Sequence, residues 1–139
     1  MVNSTACGLD TSVVLRLLID EPEALAVVAK QFVVDSARAG IRLIVSDLVV
    51  AEAYFALHHH YDVPKPDALI ALLSLLEGKV IWPEEGGVSV LALKEACSSS
   101  AKLGFVDRLI HERYLHSGAT MATFERSAAR LEHVMVLRG

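Results

Sequence analysis

The sequence predicts an α/β fold: a central parallel sheet of about five strands with helices on both faces. Apolar runs of strand length alternate with segments of helical period along the whole chain, and the connections between them are short. In addition, 53% of the 139 residues are hydrophobic while only 6% are aromatic, which is aliphatic material enough for one core. No linker, repeat or low-complexity tract interrupts the pattern, so residues 1–139 are expected to form a single domain.

Each element has its own reason. Thr5 to Leu9 is a small, apolar run of strand length, and Asp10-Thr11-Ser12 opens a mostly apolar helix from Val13 to Ile19. Acids and Pro22 start a second helix with the stripe Leu25, Val28, Ala29 and Phe32, stopped by Gly40. Ile41 to Val45 is the second strand, and Ser46-Asp47 caps a third helix that ends at the histidines 58–60. Pro64 to Asp67 opens a fourth helix, in which Leu69, Leu72, Leu73 and Leu76 form one seam while Ile70 and Leu75 lie off it. Val80 to Trp82 is a short strand, and Val88 to Ser99 and Phe105 to His116 are helices five and six, the last stopped by Ser117-Gly118. Thr120 to Thr123 and Val134 to Leu137 complete the strands, with a helical turn around Arg126 to Arg130 between them.

Composition excludes several classes. Thirteen Lys+Arg against seventeen Asp+Glu give a net charge of −4, which argues against a generic polyanion binder, since such binding depends on neutralising phosphates. Cys7 and Cys97 lack disulfide-framework or metal spacing, which suits a reducing compartment. The start Met1-Val2-Asn3-Ser4 has no secretory pattern, and the run Ala68 to Leu76 is well short of the ~20 residues a bilayer requires. A cytoplasmic protein without a membrane partner is expected.

In open parallel sheets, functional groups gather beyond the carboxyl ends of the strands. Asp10 follows the first strand there, and Glu125 follows the fourth. Asp107 lies in the first turn of the sixth helix, and Glu52 stands on the third helix among Leu48, Val49, Phe55 and Ala56. An ionised carboxylate on a buried apolar face needs a base or a cation. No lysine lies within a helical turn of Glu52, and only Arg16 and Arg42 are at hand in the local elements. Converging acids without matching bases suit a hard divalent cation, Mg²⁺ or Mn²⁺. Taken singly, Asp10 also reads as a helix cap and Asp107 as a first-turn acid favoured by the helix dipole.

Leu9-Asp10-Thr11-Ser12-Val13-Val14-Leu15, Glu52 within its helix, Val106-Asp107-Arg108-Leu109-Ile110 and the segment Gly118 to Arg126, taken in order, resemble the PIN-domain ribonucleases, and among these the VapC-like toxins of bacterial toxin–antitoxin systems. The resemblance covers the whole chain and implies a PIN-like three-layer α/β/α fold. It further implies an endoribonuclease whose three or four carboxylates bind Mg²⁺ or Mn²⁺ and hydrolyse RNA phosphodiester bonds, leaving 5′-phosphate and 3′-hydroxyl ends. Asp10, Glu52 and Asp107 then take the first three metal-ligand positions. Glu125 stands where the family usually has Asp, so its arm is one methylene longer. Thr11, Ser12 and Thr123 are placed to steady a ligand carboxylate or a bound water by hydroxyl hydrogen bonds. A cognate antitoxin and a homodimer are the implied protein partners; the surplus of apolar residues on the two-faced fourth helix and on the second either offers them a docking face or belongs to a bigger internal core.

Charge is uneven along the chain. Residues 1–101 hold 7 bases and 13 acids, and residues 102–139 hold 6 bases and 4 acids. Arg108, Arg113, Arg126 and Arg130 flank two of the proposed ligands and are candidate phosphate contacts, with ordinary surface ion pairs as the plainer role. His111, one turn beyond Asp107, is a candidate for the rim of the site or for a solvated helix face. The alternative to an enzyme is a non-catalytic PIN-like module that binds RNA or protein and has lost its metal geometry through Glu125. Phosphatase chemistry on Asp10 is disfavoured because Ser12 stands where a second Asp is expected, and a phospho-receiver because no Lys follows either of the last two strands.

Overall fold

β1 (Ala6–Gly8) runs parallel to β2 (Arg42–Val45), which runs parallel to β3 (Ile81–Pro83), in a computed structural model that describes residues 5–99 and 102–139. The register is unbroken, with Cys7 opposite Leu43 and Leu43 opposite Ile81. Leu43 and Val45 point into the core at 1% exposure each, as period-two alternation requires of a strand between two helical layers. The reading of Met1 to Ser4 lies outside the described residues.

Helices fill the connections. α1 (Thr11–Leu18) and α2 (Glu23–Arg38) lie between the first two strands, and α3 (Asp47–His59) and α4 (Lys65–Glu77) between the second and third. α5 (Ser89–Ser98) and α6 (Phe105–His116) then lead to β4 (Met121–Thr123), a short 3-10 turn (Arg126–Ala128) and β5 (Val134–Val136). Asp10 caps α1 and Ser46 caps α3, its side chain accepting from the Val49 N–H at 3.2 Å. Gly40 and Gly118 follow α2 and α6 with φ of 71° and 79°, the left-handed conformation that closes a helix C-terminus at least cost on glycine.

The single five-stranded sheet expected from the sequence is replaced by two: β1–β2–β3 and a separate parallel pair β4–β5. The apolar clusters divide in the same way. The main core joins Val14, Leu43, Val45, Val50, Leu57, Leu72, Leu93, Phe105 and Leu109 around the three-stranded sheet, whereas β4 and β5 close over Leu103, Met121 and Ala128. Strands of three residues form few ladder bonds, so packing decides their neighbours.

Of the two helix faces read from the sequence, one is found in outline and one changes. On α4 the buried seam is Ala68, Leu69, Leu72 and Leu76, with Ile70 open to solvent, as its two-faced pattern suggested. On α2, however, Ala26 and Ala29 are the apolar residues buried against the rest of the protein, while Leu25, Val28 and Phe32 are 40–65% exposed. The small residues let α1 and α2 approach, and the large ones of the stripe are left outside. No helix among the described residues is long and apolar enough to cross a membrane.

Candidate functional site

The four acids singled out in the sequence stand on elements that touch in turn. Asp10 heads α1, α1 packs on α3 with Glu52, α3 on α6 with Asp107, and α6 on β4, after which Glu125 follows. All four side chains are exposed. For Glu52 this corrects the expectation of a carboxylate on a buried face: its helical neighbours Leu48 and Phe55 are 81% and 57% exposed, so water solvates the charge and no partner is required. The buried face of α3 is the one with Val50, Ala53 and Leu57.

Asp10 is held at its post. Its Oδ1 accepts from the Thr11 N–H at 2.6 Å, and its Oδ2 accepts from the Ser12 hydroxyl at 3.3 Å. Thr11 thus reaches Asp10 through its backbone, and Ser12 through its side chain. Glu125 caps the 3-10 turn: its Oε1 accepts from the Ser127 N–H at 3.1 Å and from the Ser127 hydroxyl at 2.7 Å. Thr123 serves the same corner, its hydroxyl accepting from the Glu125 N–H at 3.0 Å. The Ser127 hydroxyl, then its N–H, hold the Glu125 carboxyl below the ordinary range, because both donors favour the charged form.

The arginines separate into two kinds. Arg108 is buried at 6% exposure, donating from Nη1 to Glu95 at 3.4 Å, from Nη2 to the Ser99 hydroxyl at 3.0 Å and from Nε to the Leu103 carbonyl at 3.3 Å. That placement corrects its reading as a phosphate contact, since its donors face the protein. Arg113 is half open to solvent, yet its Nη1 lies 2.8 Å from Asp47 Oδ2 and 3.7 Å from Glu84 Oε1. Arg126 and Arg130 are exposed and form no ion pair among the described residues.

His111 is neither rim nor solvated face: it is 4% exposed and its Nε2 donates to the Glu132 carbonyl at 2.7 Å, tying α6 to the turn before β5. Beside it Glu112 is buried, and Glu95 shares a side-chain hydrogen bond with it. Burial first, then the hydrogen bond and like charge of Glu112, push the Glu95 carboxyl above its ordinary range against the pull of Arg108.

Asp47 is the group that sequence reasoning missed. With Ser46 it reads as a helix cap, whereas it is 1% exposed and accepts from the N–H groups of Val88 and Ser89 at 3.0–3.1 Å as well as from Arg113. A charged residue between a cap serine and an apolar helix gave no signal, because its partners lie 41–66 positions away.

By donor chemistry the exposed carboxylates suit a hard divalent cation, which binds through one or two carboxylates and keeps several waters. By arrangement, no group of three or more His, Cys, Asp or Glu residues among those described stands ready to hold a metal. The four acids are therefore not a preformed cage.

Comparison with known proteins gives one result. A family model described as PIN domain matches residues 8–134, a span that runs from the end of β1 to the start of β5 and includes all four acids. Neither the curated proteins nor the solved structures returned a match.

Proposed function

The chain belongs to the PIN domain family, whose members are generally nucleases, and from that premise we propose that it is a Mg²⁺- or Mn²⁺-dependent endoribonuclease that hydrolyses RNA phosphodiester bonds. What carries the reading is the family match over residues 8–134 together with the order Asp10, Glu52, Asp107, Glu125 on elements that touch in turn. In this reading Asp10, Glu52 and Asp107 hold the cation, with Glu125 as a fourth, longer-armed ligand. When bound, the cation supplies an acidified water and a counter-charge for the phosphoryl oxygens. Ser12 steadies the Asp10 carboxylate, and Thr123 fixes the backbone from which Glu125 extends. Arg126 and Arg130 face the approaching phosphates.

The finer reading is a toxin of the VapC type, cytoplasmic and homodimeric, silenced by an antitoxin. The groove between α1 and α2, lined by Val13, Arg16, Leu25, Val28 and Phe32 with a volume of about 420 Å³, suits an apolar antitoxin segment.

The decisive experiment incubates the purified protein with a labelled single-stranded RNA and Mn²⁺ or Mg²⁺. Cleavage is expected to stop in EDTA and to fall by about a hundredfold or more in Asp10→Asn and Asp107→Asn, leaving 5′-phosphate ends by mass spectrometry. Cleavage that persists in EDTA and in both variants overturns the proposal. The second reading, a binding module with no metal chemistry, is favoured by the engagement of Glu125 with Ser127 and by the spacing of the acids, which bring no three ligands together among the described residues. Calorimetric titration with Mn²⁺ separates them: binding abolished by Glu52→Gln supports the enzyme, and no heat supports the module.

A further inference from the structure

We infer that a cleft between the 3-10 turn and β5, with Arg126 on one wall and Arg138 on the other, is a phosphate subsite for the backbone of single-stranded RNA. The inference rests on the nuclease reading above and names where the strand is held. The cleft has a volume of about 350 Å³ and is lined by Arg126, Ala129, Val136 and Arg138. Its two arginines come from separate segments brought together by the β4–β5 pairing. Leu137 N–H donates to the Thr123 carbonyl at 2.7 Å, which sets Arg138 beside the end of β4, three residues before Arg126.

Charge makes the cleft selective for an anion. Of the bases in residues 102–139, Arg108 is paired with Glu95 and Arg113 with Asp47 and Glu84. Arg126 and Arg138 are exposed and, among the described residues, carry neither an ion pair nor a side-chain hydrogen bond. The acid beside them, Glu125, is turned to Ser127. Two unpaired guanidinium groups over small apolar walls match one or two phosphate groups, because each presents a planar fork of donors to phosphate oxygens. Guanidinium contacts to phosphate oxygens position the strand and do not read its sequence. It lies at the carboxyl end of β4, the corner that also presents Glu125, so a strand held there passes beside that acid.

The test measures binding of a fluorescently labelled, mixed-sequence single-stranded oligoribonucleotide by anisotropy, in EDTA to prevent cleavage, over a series of salt concentrations. Arg126→Gln and Arg138→Gln are each expected to weaken binding severalfold and to reduce the slope of log K against log[salt] by about 0.7, the double variant by about 1.4. Arg38→Gln, an exposed arginine at the end of α2, serves as control and keeps the wild-type slope. The loss should be the same on single-stranded DNA of identical sequence, as phosphate contacts require. Circular dichroism melts confirm that the variants fold. A double variant with wild-type affinity and slope overturns the subsite and leaves the nuclease reading standing. A wild-type protein that binds RNA with the arginine-dependent slope but never cleaves it supports the subsite while removing the nuclease. A wild-type protein with no affinity for either strand removes the subsite as well.

Discussion

Arg113 on α6 places its Nη1 2.8 Å from Oδ2 of Asp47, a side chain only 1% exposed at the start of α3. The pair joins the helix that bears Glu52 to the helix that bears Asp107. The same carboxylate accepts from the Val88 and Ser89 N–H groups, and Glu84 accepts from the Asp47 N–H at 2.8 Å. A buried charge so fully bonded is costly to strip. Asp47→Ala removes the acceptor from two buried N–H groups and is expected to cost about 3–5 kcal/mol. Arg113→Ala leaves the carboxylate its two backbone donors, and the arginine itself is 57% exposed, so about 1–2 kcal/mol is expected after screening. Urea unfolding of both variants checks the order; equal and negligible losses would refute it.

Arg108 makes the contrasting case. Its donors reach Glu95, Ser99 and the Leu103 carbonyl from a position 6% exposed. Arg108→Ala is expected to lower stability by about 2–4 kcal/mol, since it leaves Glu95 without its counter-charge and opens a cavity. Arg108→Lys recovers only part, because an ammonium cannot span three acceptors set around a planar fork. RNA affinity in EDTA should stay at the wild-type value for Arg108→Lys, measured as for Arg126→Gln. A loss of affinity as large as that of Arg126→Gln would restore Arg108 to the phosphate contacts.

Local rules made the elements legible and left their tertiary neighbours hidden. Asp10 and Ser46 as caps and Gly40 as a stop depend on residues within a turn, and each is found where the sequence put it. The split of the sheet depends on whether Met121 packs with Leu103 and Ala128 or with the main core, a choice over which the short strand 121–123 has little say. Glu52 failed for a related reason: apolar neighbours predict burial only when that face meets another element, and Leu48 and Phe55 meet solvent. The sequence shows Asp10, Glu52, Asp107 and Glu125 as an ordered set, and only the family resemblance makes them proposed ligands. That Arg108 is internal while Arg126 is exposed was not readable, because an arginine in a run of mixed charge looks alike from either side.

Glu95 gives a pH dependence with a definite sign. Burial and the neighbouring Glu112 raise its carboxyl above the ordinary range in the folded protein. The native state therefore keeps that proton to higher pH than the unfolded chain does. Its contribution to stability is full below the unfolded value, about 4.5, and is lost as pH rises through the raised folded value. Glu95→Gln keeps the hydrogen-bonding shape without the charge, so its melting temperature relative to wild type should rise with pH across that window. The groups facing it, Arg108 and Glu112, are unchanged in the comparison. A difference that shrinks as pH rises contradicts the assignment.

Glu125 tests the proposed fourth ligand. Both donors that depress its carboxyl come from Ser127, so Ser127→Ala removes the hydroxyl and should move that carboxyl upward toward its ordinary value, read by carbon NMR titration of the side chain. The sign is opposite to that of Glu95: a lowered folded value means that the capping contribution is present above the unfolded range and is lost as pH falls through the folded one. If Glu125 also ligates a cation, the hydroxyl and the cation compete for Oε1. Ser127→Ala should then tighten Mn²⁺ binding severalfold while Glu125→Gln weakens it, both by calorimetry. A Ser127→Ala protein with wild-type Mn²⁺ affinity, in which the NMR shift is nonetheless seen, would leave Glu125 as the cap of its 3-10 turn and confine the proposed metal site to Asp10, Glu52 and Asp107.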